Sequence, residues 1–281
     1  MEILTTRGWS DYELLDSGNG YRLERFGSYT IAKPDPQAIW LPQLSQVEWE
    51  KADATFDKDT WVKKTDLPEK WLLKYEDISF YAKLTPFKHT GLFPEQHLHW
   101  EFIRSSITKS NRSVKVLNLF GYTGIASLVA AAAGAQVTHV DASRPAITWA
   151  RENQELSSLS DKPIRWILDD ALKFVEREIR RGNTYEGIIM DPPVYGHGPT
   201  GEVWDFPKSF PELMKACSQV LSPQPLFVIV NAYALSASSL MLENVMRDYL
   251  KKGNIQVGEL VLEEKTHKRP LSTGIFARWS A

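Results

Sequence analysis

A short segment near the middle of the chain carries the residue types and spacing best suited to binding a ligand. Residues 116–124 read as a strand, a tight turn that contains Gly121, and the start of a helix after Gly124. A helix N-terminus offers unpaired N–H groups and a positive dipole end, and glycine lets a ligand approach the backbone closely. The segment has two glycines, whereas a dinucleotide-binding fingerprint has three. A sharp turn that binds no ligand therefore remains an alternative interpretation.

Acidic residues follow the next two predicted strands. Asp141 ends the second strand, 20 residues after Gly121, where a carboxylate can accept hydrogen bonds from both hydroxyls of a ribose. Asp141 could instead only cap a helix, but at this spacing it indicates a ligand that contains a nucleoside. After the third strand, Asp170 is preferred over Asp169 as an acceptor for an adenine amino group, and it can also cap the following helix.

A further acidic residue, Asp191, follows the fourth predicted strand and precedes Pro192 and Pro193. The prolines stiffen the backbone and have no N–H, so this turn presents carbonyl acceptors. A carboxylate beside a rigid carbonyl can hold an amino group in one direction; a simple strand-ending turn is the alternative. The glycine-rich residues that follow suit a mobile loop, in which Tyr195 could stack on a planar acceptor and His197 could take a proton. Both side chains could equally be ordinary loop residues.

An alternation of strands and helices after about residue 113 must position these residues. The predicted strands are 115–120, 137–140, 164–168, 187–190, 226–230, 257–262 and 275–279. Helical stretches between the first six strands imply a parallel sheet with helices on both faces. The last strand follows the sixth without a helix and should be antiparallel, because a parallel connection needs a longer crossover.

Helix limits within this region can be read from capping residues. Gly134 and Gly182 suit left-handed C-terminal caps, and Ser143 can cap the helix that follows the second strand.

The N-terminal part has a different pattern of apolar and polar residues. Up to about residue 80, glycines and prolines separate short runs that alternate apolar and polar residues, which predicts half-buried strands such as 21–26 and 29–32. Its five tryptophans predict either large filler for a small β core or a surface on which bases stack. The expected domains are a β-rich part at 1–80, a connecting segment at 81–112 and an α/β domain at 113–281.

Composition limits the classes of protein and partner. The 281 residues carry a net charge of −2, which is no electrostatic footprint for nucleic acid, although residues 86–281 carry +2 and tolerate such a partner. One cysteine, Cys217, excludes an internal disulfide and a multi-cysteine metal site, and no metal is expected. No apolar stretch is long enough to span a bilayer and the N-terminus does not resemble a secretory signal, so we expect a cytoplasmic protein without a membrane partner. The sequence carries no signal for an oligomeric state.

Taken in order, the motifs at 118–124, 141–143 and 191–193 resemble those of class I S-adenosylmethionine-dependent methyltransferases, and most of all the group similar to bacterial large-subunit ribosomal RNA methyltransferases. The similarity extends upstream through 87–96 and covers most of residues 85–281. It implies a Rossmann-like sheet of seven strands with the last antiparallel, and S-adenosylmethionine as cofactor. It places these residues at the cofactor: Phe93, Gln96, Asn118, Phe120, Gly121, Tyr122, Thr123, Gly124, Asp141, Ala142, Ser143, Asp170, Ala171 and Asp191.

Two departures from the family pattern bear on the methyl acceptor. Cytosine-5 members use a cysteine after the fifth strand, where this chain has Asn231-Ala232-Tyr233-Ala234. Cys217 lies elsewhere on an apolar helical stripe, which predicts a buried core residue. Related sequences often have Lys-Phe where this chain has Val194-Tyr195, which concerns the substrate pocket and not the cofactor pocket.

These observations favour methyl transfer to nitrogen or oxygen, with RNA as the leading substrate class by resemblance. The catalytic candidates are Asp191, Pro192, Tyr195 and His197. A protein or small-molecule methyltransferase would share the entire cofactor site. A nicotinamide-dependent oxidoreductase would share the glycine turn and Asp141 but would not explain the Asp-Pro-Pro turn, and a non-catalytic RNA-binding module would not need intact motifs.

Overall fold

The computed structural model describes residues 1–233 and 237–281, and within them the chain forms seventeen strands and seven α-helices. The N-terminal elements are β1 (Glu2–Thr6), β2 (Tyr12–Gly18), β3 (Tyr21–Phe26), β4 (Tyr29–Pro34), α1 (Gln46–Glu50), β5 (Ala54–Asp57), β6 (Thr60–Lys63), β7 (Trp71–Tyr75), β8 (Ile78–Ala82), a 3₁₀ turn at Pro94–Gln96, and α2 (His97–Ser110). The remaining elements are β9 (Lys115–Leu119), α3 (Ile125–Ala132), β10 (Gln136–Asp141), α4 (Arg144–Leu156), β11 (Ile164–Leu168), α5 (Ala171–Arg181), β12 (Gly187–Met190), β13 (Tyr195–His197), β14 (Val203–Asp205), α6 (Phe206–Gln219), β15 (Phe227–Ala232), α7 (Ser239–Tyr249), β16 (Asn254–Glu263) and β17 (Pro270–Ser280).

One large sheet contains all seven strands predicted after residue 113. Its order is β1-β16-β17-β15-β12-β9-β10-β11. The pairs from β15 through β12, β9 and β10 to β11 are parallel, and β17 runs antiparallel to β15, as predicted. The N-terminal strand β1 adds an eighth strand beside β16, which the sequence pattern did not indicate. The predicted α/β, Rossmann-like class is therefore confirmed.

The chain divides into two compact units. The sheet unit comprises Met1–Leu4, Leu98–Glu259 and Gly274–Ala281, and the β-rich unit comprises Thr5–His97 and Leu260–Thr273. The second unit thus brings together residues from both ends of the sequence.

Helices cover both faces of the sheet unit. On one face, alternate strand residues such as Leu117 and Ile188 pack against Phe174 of α5 and Leu213 of α6. On the other face, a second apolar cluster contains Val116, Ile189, Phe227 and Ile229 of the strands, Ile103 and Ile107 of α2, and Ala130 and Ala131 of α3. Burial of both faces explains why the central strands read as nearly continuous apolar runs.

The predicted helix limits in this unit are governed by local capping. The Ser143 hydroxyl accepts a hydrogen bond from the Ala146 N–H at the start of α4, and Gly182 ends α5 in the left-handed region at φ 69°. Gly134 lies just beyond α3, with φ 102°.

The β-rich unit contains a five-stranded sheet, β2-β3-β4-β5-β6, and a β7-β8 hairpin. The two N-terminal strands predicted at 21–26 and 29–32 correspond to β3 and β4. Each of the five tryptophan N–H groups donates to an oxygen of this same unit: Trp9 to Lys74, Trp40 to Ser17, Trp49 to Asp16, Trp61 to Thr85 and Trp71 to Phe26. These bonds favour the filler interpretation over a base-stacking surface.

A cluster of charged side chains is buried in the β-rich unit. The Glu24 carboxylate lies 2.8 Å from the Lys33 ammonium and 3.3 Å from the Arg22 guanidinium, and it accepts from the Tyr12 hydroxyl at 2.7 Å. Burial opposes ionisation of Glu24, but the two cations outweigh it and hold the pKa of Glu24 below its ordinary value. For Lys33 the balance is opposite, because burial and the nearby Arg22 lower the pKa of its ammonium despite the contact with Glu24.

Candidate functional site

The glycine turn after β9 has an unusual backbone. Phe120 and Tyr122 adopt left-handed conformations, with φ of 56° and 50°, on either side of Gly121. Such conformations cost an ordinary residue about 1–2 kcal/mol, and they recur where a backbone is shaped for function. The turn is held by hydrogen bonds from the Gly121 N–H to the Val140 carbonyl and from the Gly124 N–H to the Gly121 carbonyl.

Protein packing explains both glycines of this turn. A Cβ on Gly121 would collide with the ring of His139, and one on Gly124 would lie 2.9 Å from the Ala150 Cβ, at a φ of 86°. The side chains of His139 and Ala150 thus occupy the space that the absence of a Cβ leaves free at the two glycines. The predicted contacts of the turn with a cofactor, Thr123 included, stay predictions.

A buried polar chain supports the turn from below. The Asn118 amide donates to the Ser127 hydroxyl at 2.9 Å, and that hydroxyl lies 2.9 Å from His139 Nδ1. Burial lowers the pKa of His139 to about 3, so the ring is neutral at physiological pH. The sequence reasoning named Asn118 but missed Ser127 and His139; their signal was a polar residue in an otherwise apolar helix and strand.

Asp141 ends β10 beside this turn, and backbone N–H groups fix both oxygens of its carboxylate. One oxygen accepts the Tyr122 N–H and the other the Ser143 N–H, each at 2.8 Å. Burial raises the pKa of Asp141 against the lowering effect of these two bonds. Each carboxylate oxygen keeps acceptor capacity beyond one N–H, so the fixed pair can accept from two vicinal hydroxyls. Ala142 and Ser143 continue from it into α4.

After β11, the side chain of Asp170 caps α5 by accepting the Lys173 N–H at 3.0 Å, directly before the buried Ala171. The neighbouring Asp169 accepts the Asp170 N–H and forms an ion pair with Arg177. The capping role foreseen for Asp170 is present, and its role as an adenine acceptor stays a prediction.

The Asp-Pro-Pro turn lies next to the glycine turn at the end of β12. The Asp191 N–H donates to the Leu119 carbonyl at 3.4 Å, in continuation of the β12–β9 pairing. The Pro193 carbonyl accepts the indole N–H of Trp204 at 2.6 Å, and the Trp204 ring contacts that of Phe120, with centroids 4.9 Å apart. Trp204, which the sequence reasoning did not select, therefore links the two turns.

Residues expected to form a mobile loop instead build a β-hairpin. The strands β13 and β14 pair antiparallel, with Tyr195 opposite Asp205 and His197 opposite Val203. The rings of Tyr195 and His197 lie 5.3 Å apart, and the Tyr195 side chain is 59 % exposed, which leaves it available to an incoming group. At the hairpin, Glu202 forms an ion pair with Lys173 of α5, which holds the pKa of Glu202 at about 2.

Cys217 is buried, as predicted. It lies in α6 with its Sγ 3.8 Å from the Met190 Sδ of β12, and burial raises the pKa of its thiol far above the ordinary value. A neutral, inaccessible thiol is no nucleophile. At the end of β15 the chain has Asn231, Ala232 and Tyr233; Ala234 lies outside the described residues.

Phe93 and Gln96 belong to the β-rich unit. Phe93 precedes the 3₁₀ turn that contains Gln96, and its ring lies 5.2 Å from that of His89. Their predicted part in cofactor binding stays a prediction.

Comparisons with known proteins identify the family to which the chain belongs. Residues 52–254 match the model of an S-adenosylmethionine-dependent methyltransferase family. The chain is 33 % identical over 154 residues to the ribosomal RNA large subunit methyltransferase K/L of Shewanella frigidimarina, which covers 54 % of this chain and 21 % of that protein. It is 28 % identical over 247 residues to the enzyme of the same name from Shewanella loihica, covering 79 % and 34 %.

A solved structure extends the likeness to the whole chain. The S-adenosylmethionine-dependent methyltransferase of Agrobacterium tumefaciens is 46 % identical, with a TM-score of 0.97 over 100 % of this chain and 93 % of that one. The chain belongs to the S-adenosylmethionine-dependent methyltransferases, since the family model spans more than half of it. The expected enzyme class and cofactor are thereby confirmed at the level of the family. The curated relatives are longer: the chain spans only a fifth to a third of their length.

Among the residues that the structure describes, no helix is long and apolar enough to cross a bilayer.

Proposed function

We propose that this chain transfers a methyl group from S-adenosylmethionine to a nitrogen, or an oxygen, of an RNA base without a cysteine nucleophile. The observation that carries the proposal is the Asp-Pro-Pro turn. It is fixed at the end of β12, hydrogen-bonded to the strand that leads into the glycine turn, and tied to that turn through Trp204. Ligands of open α/β sheets bind at this edge, where the parallel strands end.

The cofactor residues fit the group they are proposed to hold. Asp141 presents both carboxylate oxygens, each fixed by one backbone N–H, to the ribose hydroxyls. The left-handed turn at 120–122 shapes the backbone for the methionine part, and Asp170 faces the adenine. The carboxylate and turn are at neighbouring strand ends, which suits one extended nucleoside ligand.

S-adenosylmethionine supplies a methyl group that is already activated by its sulfonium, so the protein's work is orientation. Asp191 accepts an N–H of an exocyclic amine and, with the Pro192 carbonyl, directs its lone pair toward the methyl group. Tyr195 stacks on the planar acceptor, and His197 takes the proton released by transfer. Attack by carbon-5 of a pyrimidine would require a cysteine thiolate, which the buried Cys217 does not supply.

We propose RNA as the substrate class because both of these relatives are named ribosomal RNA large subunit methyltransferases. A protein or small-molecule acceptor would use the same cofactor residues and is the second candidate. An oxidoreductase and a non-catalytic module are not favoured, because the chain belongs to a methyltransferase family. We also propose that the β-rich part at 1–80 positions the substrate, that 81–112 closes over the cofactor, and that the protein is cytoplasmic.

A radiolabel experiment tests the proposal directly. The full-length protein is incubated with S-adenosylmethionine tritiated on the methyl group and with RNA, protein and small-molecule fractions from cells that lack its gene. We expect tritium to enter the RNA fraction from these cells and not the RNA fraction from cells that contain the enzyme. Tritium found only in the protein or small-molecule fraction would show that RNA is not the substrate.

A further inference from the structure

Asn231 has a buried side chain that the fold itself does not use. It lies near the end of β15, is only 3 % exposed, and neither its amide nitrogen nor its amide oxygen has a hydrogen-bond partner among the described residues. Buried polar side chains in folded proteins are nearly always hydrogen-bonded, because leaving them unpaired costs folding free energy. An apolar residue would be the better choice here if the position served only the core.

The register of the sheet places Asn231 beside Asp191. Met190 of β12 pairs with Val230 of β15, and the next residues along the two parallel strands are Asp191 and Asn231. Side chains alternate between faces along a strand, so both project to the face of Ile189 and Ile229, which belong to the cluster beneath α2 and α3. Asn231 therefore lies next to the proposed acceptor-binding carboxylate and on the same face of the sheet.

The two side chains have complementary hydrogen-bonding capacities. An ionised Asp191 only accepts, whereas the Asn231 carboxamide offers two donor hydrogens and one acceptor oxygen in one plane. Asparagine reads nucleobases through such paired contacts, as it does when it bonds the amino group and ring nitrogen of adenine. Asp191 and Asn231 together match a base edge that has an exocyclic amino group beside an unprotonated ring nitrogen.

We propose that Asn231 is a specificity-determining residue that donates from its amide to the ring nitrogen adjacent to the amino group held by Asp191. This inference rests on the proposed function and extends it to a class of base. It selects bases with an amino–imine edge and disfavours uracil, whose edge has carbonyls and a protonated ring nitrogen. Asn231 takes no part in the electron movements of methyl transfer.

Two variants of Asn231 separate recognition from a structural role. Asn231→Val removes both polar atoms, and Asn231→Asp replaces the donor with an acceptor at nearly constant shape. For both we expect calorimetric affinity for S-adenosylmethionine to stay within about twofold, while KM for total RNA from gene-deleted cells rises about tenfold or more. Mass spectrometry of the nucleosides made by the wild type should show methylation on an amino-bearing base.

Stability supplies a readout that does not depend on activity. Asn231→Val should unfold at the same or a higher urea concentration than the wild type, because no hydrogen bond is lost. The matched control is Asn153→Leu, whose amide donates to the Thr123 carbonyl at 3.0 Å and whose loss should lower the midpoint. A fall in midpoint for Asn231→Val as large as that of the control would overturn the proposal.

The outcomes also separate this inference from the one on which it rests. A wild-type protein that labels no RNA contradicts the proposed function, and the specificity role with it. A wild type that labels RNA, while the variants keep an unchanged KM or the product is a methylated uridine, overturns only the role of Asn231.

Discussion

At the scale of single residues, two carboxylates at neighbouring strand ends have different surroundings. Asp141 is fixed by two backbone N–H groups beside the glycine turn, as suits a permanent acceptor for a cofactor. Asp191 begins a proline-stiffened turn whose far end is held by Trp204. Because Asp141 is proposed to bind the cofactor and Asp191 the methyl acceptor, their replacement should affect different steps.

Asp141→Ala should weaken S-adenosylmethionine binding roughly ten- to a hundredfold. The loss of a charged hydrogen-bond partner typically costs on the order of 1.5–3 kcal/mol, which corresponds to this range of affinity. Isothermal titration calorimetry of the folded variant measures the change. Asp161→Ala, at an exposed acid of the same domain, is the control and should bind as the wild type does. Unchanged affinity in Asp141→Ala would refute the ribose assignment.

Asp191→Ala should reduce turnover much more than it weakens cofactor binding, because its proposed partner is the methyl acceptor. Cofactor affinity and single-turnover methylation are measured on the same preparation. A parallel loss of both would move Asp191 to the cofactor, and full retention of turnover would remove it from the site.

At the scale of elements, contacts between neighbouring helices, strands and turns hold these residues in place. Trp204 of β14 bridges the Asp-Pro-Pro turn and Phe120 of the glycine turn, and Cys217 of α6 packs on Met190 at the end of β12. The Trp204 indole donates a directional hydrogen bond to the Pro193 carbonyl, whereas the contact between Cys217 and Met190 is apolar. Replacement of Trp204 and of Cys217 should therefore affect catalysis and stability to different extents.

Trp204→Phe should lower the rate of methyl transfer about three- to tenfold while cofactor affinity changes little. The phenyl ring keeps the aromatic contact with Phe120 but loses the N–H that holds the Pro193 carbonyl, a hydrogen bond worth about 1 kcal/mol. Single-turnover rates and calorimetric affinities are compared with those of Trp100→Phe, a buried tryptophan of α2. An unchanged rate in Trp204→Phe would show that the turn is rigid without its tether.

Cys217→Ala should retain methyl transfer and lower the free energy of unfolding by about 1 kcal/mol, because a small buried side chain is shortened without a change in the site. Urea unfolding and methyl transfer are measured together. Loss of activity in a variant that unfolds normally and binds cofactor would return the thiol to the mechanism.

At the scale of the whole molecule, the two units are stabilised differently. The sheet unit buries two apolar layers, whereas the β-rich unit also buries the Glu24 carboxylate with Lys33 and Arg22. Removal of one member of a buried charge cluster leaves the other charges uncompensated, typically at a cost of about 3–5 kcal/mol. The stability of this unit should therefore depend on pH.

Glu24→Gln should destabilise the protein at pH 7 and much less near pH 3. Against the opposing effect of burial, Arg22 and Lys33 place the folded-state pKa of Glu24 below its ordinary value of 4.5. Its contribution is therefore fully present above the unfolded pKa and is lost as the pH falls through the folded pKa. Urea unfolding of both proteins at pH 7, 5 and 3 measures the difference, with the exposed Glu69→Gln as control. A difference that does not shrink in acid would contradict this origin.

Much of the fold was predictable because the limits of its helices, strands and turns depend on residues that are close together in the sequence. Apolar runs, capping residues and turn residues act over a few positions, so the seven strands, the Ser143 cap and the Gly182 cap were all read correctly from the sequence. The hairpin at 195–205 was read as a loop because its strands have three residues each, and because its anchors, Trp204 on Pro193 and Glu202 on Lys173, lie outside any local pattern.

By itself, the sequence indicated the class of this protein, because motifs of glycine, acid and proline follow successive predicted strands and resemble those of a methyltransferase family. Only the tertiary structure decided which distant residues share a unit or a face of the sheet. It placed β1 beside β16, grouped 260–273 with the N-terminal residues, set His139 beneath Gly121, and brought Asn231 next to Asp191. The physical reason is that strand pairing and side-chain packing join residues far apart in the chain, and periodicity within a segment carries no information about its partner.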